Sequence, residues 1–275
     1  MKQVTINHDT AKAAEAFTRQ SAVFDQLYAH NAIIQYKRDR VRNHINRYLQ
    51  PNSHILELNA GTGEDAGYFA RQGHRVHATD ISSGMLERLQ KKMEWKQTTA
   101  QVSSELCSFT QLDQLQQRGP YDLIFSNFAG LNCTGELDKV IHSFPSLLKP
   151  GALVTMVVMP GFCLWETMLA LRGRFKLAFR RFNHKNGVTA NVEGVKFTCW
   201  YYQPSFIRNC AQHDFEVLAV EGLCTIVPPS YLEKFPAKHP WLFRRLMRLE
   251  NRFKNSFPWR HIGDYYIITL RKKTA

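Results

Sequence analysis

Apolar positions along this chain of 275 residues follow two rhythms. Residues 10–49 hold no Gly or Pro and read as helix throughout. One helix is predicted from Ala11 to Leu27. A second runs from Asn31 to Leu49, with Ile33, Ile34, Val41, Ile45 and Leu49 roughly on one face, and Pro51 ends it. Short apolar runs then alternate with helix-like segments. Ile55–Leu58 and Arg75–Thr79 predict strands, and Val102 with Leu106-Cys107-Ser108-Phe109 suggests a third. A helix at Glu64–Gln72 stops at the C-cap Gly73. Another at Gly84–Lys92 is capped by Ser82 or Ser83, with Met85, Leu86 and Leu89 inward. Further on, Phe197–Tyr202 has strand character, Pro204 opens a helix to about His213, and Phe215–Val220 and Asp264–Leu270 read as strands. Strands alternating with helices predict an α/β fold.

The first strand breaks into the chain's most informative turn. Ile55-Leu56-Glu57-Leu58 runs into Asn59-Ala60-Gly61-Thr62-Gly63, and the acids Glu64 and Asp65 open the next helix. Glycines there let the backbone approach a ligand, and a helix start offers unpaired N–H groups. The second strand ends in Asp80, 23 residues after Glu57. An acid at that place can take the two hydroxyls of a ribose.

These two segments resemble motif I and the acidic motif of class I S-adenosylmethionine-dependent methyltransferases. Asn59 stands where that family commonly has its first glycine. Dinucleotide-binding proteins are the nearest competitor, but Gly-x-Gly-x-x-Gly is missing and an acid within the strand is unusual for them. Three more segments resemble the family. Asp80-Ile81-Ser82-Ser83-Gly84-Met85-Leu86 is close to Asp-x-Ser-x-x-Met-Leu, and Tyr121-Asp122-Leu123-Ile124-Phe125-Ser126-Asn127-Phe128 resembles its strand 4. Leu147-Leu148-Lys149-Pro150-Gly151 resembles the turn before strand 5, Ala152–Met159, whose apolar run suits burial on both faces. A helix at about Gly135–Leu148 lies between.

The resemblance implies a Rossmann-like seven-stranded sheet with strand 7 antiparallel. It divides the chain into an N-terminal helical cap, residues 1–50, and a core, residues 51–275. Insertions are expected at about 160–203 and 221–263. The implied cofactor is S-adenosyl-L-methionine. Its implied contacts are Glu57, Asn59, Ala60, Gly61, Gly63, Asp80, Ile81, Met85, Ser108, Phe109 and Asn127, with Tyr28 reaching over from the cap. The family often has an acid after strand 3 for the adenine amino group, and Cys107-Ser108-Phe109 takes that place here.

No motif places a catalytic base. Glu166 and Tyr201 are the candidates in the first insertion, beside His142, His184, Glu193, His213, Glu221 and Tyr202. Phe162, Trp165, Phe197, Trp200, Tyr201 and Tyr202 point to a hydrophobic or aromatic acceptor, with O-methylation ahead of C or N. A lipophilic secondary metabolite and an acyl chain on a carrier both fit.

Charge sharpens the partner question. Residues 1–150 hold 17 Lys/Arg against 15 Asp/Glu, and residues 151–275 hold 19 against 8. The basic half suits a carboxylate or phosphate substrate, an acidic carrier, a membrane surface or nucleic acid, and equally a plain solvated surface. Ser126-Asn127-Phe128-Ala129 lacks the prolines of amino-directed nucleic-acid methyltransferases, so nucleic acid is not favoured. A non-catalytic binding module with this fold remains the other class. Leu242, Leu246, Leu249 and Phe253 suggest one face of a helix, and Arg244, Arg248 and Arg252 another. Such a helix packs on its own domain or sits at a membrane surface. The six cysteines are scattered, which supports neither zinc nor a disulfide framework. No apolar run spans a bilayer, and Met1–Thr5 has no signal-peptide core, so a cytoplasmic protein is expected.

Overall fold

The structure, a computed structural model, describes residues 8–183 and 187–274. Three helices come first: α1 (His8–Gln20), α2 (Phe24–Ala29) and α3 (Ala32–Ile45). The core follows as β1 (His54–Leu58), α4 (Glu64–Arg71), β2 (Arg75–Asp80), α5 (Ser83–Trp95), β3 (Val102–Leu106), β4 (Tyr121–Ser126), α6 (Leu137–Ser143) and β5 (Leu148–Val158). Beyond it lie α7 (Leu164–Thr167), α8 (Phe175–Ala178), β6 (Val188–Val192), β7 (Val195–Cys199), α9 (Pro204–Ala211), β8 (Phe215–Leu223), α10 (Phe235–Lys238), α11 (Pro240–Phe253) and β9 (Tyr265–Lys272). The helix predicted over Ala11–Leu27 is two helices, broken at residues 21–23. Asn31 caps α3, its side-chain oxygen accepting from the backbone N–H of Ile33 and Ile34.

Seven strands form one sheet in the order β3-β2-β1-β4-β5-β9-β8, with β9 antiparallel to both neighbours. The predicted antiparallel strand 7 is β9. Period-two alternation splits the buried side chains between two faces. Leu56, Leu58, Ile124 and Val154 meet Leu137, Val140 and Phe144 on one face. Ile55, Leu123 and Phe125 meet Val41, Ile45, Phe69, Leu86 and Leu89 on the other. The chain leaves β1 for β2 on one side and reaches β4 on the other. Such a reversal of strand order opens a crevice at the carboxyl ends of the strands.

Two sequence expectations need correcting. In α11 the inward side chains are Phe243 and Glu250, joined by Leu246 and Met247, whereas Leu242 and Leu249 are half-exposed. The buried acid shifts the helix face. Glu250 accepts the backbone N–H groups of Cys224, Thr225, Ile226 and Val227, and also the Tyr36 hydroxyl and Arg40. A carboxylate buried with that many donors has its hydrogen-bonding needs met only with this face of the helix turned inward. The other correction concerns the first insertion. It forms a β6–β7 hairpin whose Val195 and Phe197 pack on Ala13 and Ala16 of α1. No strand was predicted at 188–192. Tyr202 is buried in the main core, its hydroxyl donating to the Thr134 carbonyl. Among the described residues, no helix is long and apolar enough to cross a membrane.

Candidate active site

A cavity of about 300 Å³ lies at the crevice beyond β1 and β4. Its floor is the β1–α4 turn. Asn59 has φ 47° and Gly61 φ 55°, both left-handed. Asn is the side chain that best tolerates this conformation after Gly, which explains how it replaces one here. Its amide does a second job. Nδ2 donates to the Asn127 carbonyl at 3.0 Å, and Oδ1 accepts the Ser126 hydroxyl at 2.6 Å, so the turn is sewn to the end of β4. Gly130 leaves room for it, since a Cβ there would lie 2.2 Å from Asn59 Cγ.

Gly61 and Gly63 have different duties. A Cβ on Gly61 would meet nothing within 4 Å, and the residue lines the cavity. A Cβ on Gly63 would lie 2.6 Å from Leu89 Cγ, and Gly63 does not line the cavity. Gly63 therefore serves the close packing of α4 on α5.

Four acids stand in the wall: Glu57, Glu64, Asp65 and Asp80. Asp80 is buried. Its Oδ1 accepts the Ser82 N–H at 2.9 Å and its Oδ2 the Gly61 N–H at 2.8 Å. Burial raises its carboxyl above the ordinary value, against the pull of those backbone donors. Glu57 is more extreme. Its Oε2 is buried with no hydrogen-bond partner, and burial, reinforced by Asp65, holds its carboxyl well above the usual range. Asp65 is satisfied by contrast, with Arg42 Nε at 2.8 Å and Asn127 Nδ2 at 2.7 Å.

Two cations of α3 also line the cavity. Arg38 lines the cavity with its Nε buried and unpartnered, 5.1 Å from the Phe128 ring centre by its guanidinium carbon. Lys37, which is 1% exposed, donates to Asp264 Oδ2 at 2.8 Å and Ser230 Oγ at 3.3 Å. Burial opposes its charge, but Asp264 and then Tyr265 outweigh that and hold it protonated.

The far end of the cavity is the β2 and β3 side. Ile81, Met85, Cys107, Ser108 and Phe109 line it. Ser108 caps the short helical turn after it, its hydroxyl accepting the Thr110 N–H. The N-terminal helices form the roof through Phe17, Phe24 and Tyr28. Burial, then Glu193 of the hairpin turn, raises the Tyr28 phenol. Asp25 pins this roof to the floor, accepting the Thr62 hydroxyl at 2.6 Å and pairing with Lys92 at 2.8 Å.

The structure thus brings Tyr28, Glu57, Asn59, Ala60, Gly61, Asp80, Ile81, Met85, Ser108, Phe109 and Asn127 to one cavity, and leaves Gly63 behind it. Glu166 and Tyr201 do not line it. Glu166 is bound by Arg180 and Arg181; burial raises its carboxyl, but the two guanidinium groups bring it below its ordinary value. Tyr201 is buried under the Arg181 guanidinium, its phenol pushed up by burial to about 12. Cys163, Glu166 and Asp264 cluster at metal-like spacing, but Arg180, Arg181 and Lys37 already neutralise the two acids. None of the six insertion aromatics lines the cavity; its rings are Phe17, Phe24, Tyr28, Phe109, Phe128 and Tyr265. Glu221 is taken by His44 and Arg47 and also lies outside it, as do His142 and His213, while His184 lies outside the described residues.

Sequence reasoning missed Lys37 and Arg38. One signal was present: both lie on the face of α3 that carries Ile33, Ile34 and Val41, so each is a charge on a buried stripe.

Residues 55–151 match the family described as a methyltransferase domain. Bacillus subtilis YqeM is 27% identical over 149 residues, 53% of this chain and 56% of that protein. Malonyl-[acyl-carrier protein] O-methyltransferase of Halorhodospira halophila is 26% identical over 168 residues, 54% of this chain and 53% of its own. The match thus spans about half the length of these curated relatives. Among solved structures, the [4+2]-cyclase SpnF superimposes with a TM-score of 0.63 at 14% identity, covering 96% of both chains. The 1,6-didemethyltoxoflavin-N1-methyltransferase of Burkholderia thailandensis, with bound S-adenosylhomocysteine, gives 0.58 at 14% identity, covering 99% of this chain and 93% of its own. At such identities these two speak for the fold.

Proposed function

We propose that this chain, a class I S-adenosylmethionine-dependent methyltransferase by its residues 55–151 and the Rossmann-like sheet around them, methylates a small, mainly apolar acceptor, most readily at oxygen. The observation that carries this reading is Glu57. A carboxyl group buried in a ligand cavity with one oxygen unpartnered stays ionised at low cost only when a cationic ligand meets it, and is otherwise driven towards its protonated form. The open space over Gly61 and the buried Asp80 fit the same ligand.

Asp80 would hold the ribose hydroxyls, and Ile81, Met85 and Phe109 would flank the adenine. Glu57 would face the positive charge of the amino-acid portion, and the unpartnered Arg38 Nε its carboxylate. When bound, the cofactor supplies an electrophilic methyl group on a sulfonium. The protein's share is alignment and exclusion of water. The roof of Phe17, Phe24 and Tyr28 supports the exclusion.

Ile34, Phe128 and Tyr265 make an apolar wall into which Ser230 and the cation Lys37 are set. A phenol, enol or carboxylic acid placed there would give up its proton to solvent water before transfer and react as the oxyanion, which the protonated Lys37 would stabilise, lowering the acceptor's pKa. No histidine lines the cavity among the described residues, which favours this route. The Halorhodospira relative's name, for O-methylation of a carrier-bound acid, sits well with it. The test is transfer of labelled methyl from S-adenosylmethionine to phenolic, enolic and carboxylate acceptors, free and carrier-bound, beside DNA and RNA. Label is expected in an oxygen acceptor. Label in nucleic acid alone, or in none of these acceptors, would contradict the proposal.

Glu57 also makes a pH signature. Its folded pKa is raised, so the cofactor-free fold loses stability as pH climbs from the ordinary carboxylate range towards that raised value. A cationic ligand favours the ionised form, so binding should release a proton and tighten across that window. Glu57→Gln should flatten both dependences and weaken binding at least about tenfold. Melting temperatures across pH, and calorimetry in two buffers of different ionisation heat, read these effects. Unchanged pH dependence in the variant would clear Glu57 of the role.

A further inference from the structure

The geometry points to a membrane-docking surface on the first insertion, residues 168–182, built for anionic lipid. Five basic residues and no acid fall in that stretch. Its apolar side chains face outward. Leu171 is 84% exposed and Phe175 61%, and Met168, Leu177 and Phe179 are each close to half exposed. A soluble surface seldom gathers large apolar side chains so closely. Arg172, Arg174 and Lys176 alternate with them, are exposed, and form no ion pair with a described residue. Apolar side chains that enter the headgroup boundary, interleaved with cations that meet lipid phosphates, are the chemistry of an interfacial anchor. An acidic protein would also meet the cations, but it would not need five outward apolar side chains unless it brought an apolar groove. The lipid surface is therefore the occupant that uses both features.

A run of ion pairs ties the C-terminal end of this segment to the cavity wall. Lys37, in the cavity wall, pairs with Asp264 at 2.8 Å. Asp264 pairs with Arg181 at 2.8 Å, and Arg181 with Glu166 at 2.6 Å. Glu166 then holds Arg180 at 2.6 Å. Three of these four pairs join side chains that are at most about a tenth exposed, so the chain of charges is poorly screened. The ion pairs thus link the end of the docking segment to the Lys37 side of the cavity. The docking itself does not depend on the chemistry proposed above.

The test is flotation of the full chain with vesicles of phosphatidylglycerol and phosphatidylcholine in equal parts, against vesicles of phosphatidylcholine alone. Partition should favour the anionic vesicles at least about tenfold and fall as salt rises. Leu171→Asp with Phe175→Asp should lose at least about tenfold of that partition. Arg172→Gln, Arg174→Gln and Lys176→Gln together should do the same. All five positions are exposed, so the melting temperature should hold in both variants. If the apolar variant melts lower, the charge variant carries the decision. No partition onto anionic vesicles, or equal partition of the charge variant and the parent, would overturn the inference. So would retention by an acidic acyl-carrier protein with none by vesicles. Methyl transfer without vesicle binding would sink the docking surface alone, and vesicle binding without transfer would sink the methyltransferase reading alone.

Discussion

Asp80→Ala should weaken binding of S-adenosylmethionine by about 100- to 1000-fold, or about 3–4 kcal/mol. Two ribose hydroxyls on one carboxylate, as proposed, would set that scale, because hydrogen bonds to an ionised group are among the strong ones. Asp80 is also fixed before any ligand arrives. The Gly61 and Ser82 N–H groups each hold one of its oxygens, so little reorganisation accompanies binding. The same two bonds mean that removing the side chain loosens the Gly61 turn, which adds to the loss. Calorimetric titration of the variant measures the affinity, and circular dichroism confirms the fold. Unchanged affinity in a folded variant would remove Asp80 from the ribose.

Gly61→Val should abolish cofactor binding and leave most of the fold. The residue sits at φ +55°, where a β-branched side chain is strained, and a Cβ there enters open cavity space. The strain costs about 1–3 kcal/mol of stability. The larger effect is steric, because the new methyl groups occupy the space over the turn that a ligand approaches. Gly63→Val is the matched control. Its Cβ would strike Leu89 Cγ at 2.6 Å, so it should damage the packing of α4 on α5 and lower the melting temperature more. The two glycines are two residues apart, yet one variant should lose the ligand and the other the fold. If the Gly61 variant still binds, the turn is not the binding site.

These contrasts show what the sequence could and could not carry. The Glu57-to-Gly63 turn and Asp80 were legible because their chemistry is local. A strand, a left-handed turn and an acid at the end of the next strand are set by neighbours in the chain, and the parallel pairing of β1 with β2 brings them together. Asn59 was legible only as a departure. Its use appears in space, where its amide reaches Asn127 and Ser126 across the strand-order reversal. The division of labour between Gly61 and Gly63 was hidden for the same reason, since Leu89 comes from another helix.

The second half was harder because its organising residues are buried charges. Counting leucines placed α11 on the wrong face, since Glu250 turns inward to bind four backbone N–H groups. The aromatics of the first insertion read as pocket walls, yet Phe197 packs on α1 and Tyr202 in the core. Phe17, Phe24 and Phe128 line the cavity instead. Aromatic residues close together in sequence say little about what each one packs against.

The most direct test of the central claim is calorimetric titration of the purified chain with S-adenosylmethionine and, separately, with NAD. Micromolar binding of S-adenosylmethionine and none of NAD is expected. Binding of NAD alone, or of neither ligand, would contradict the claim.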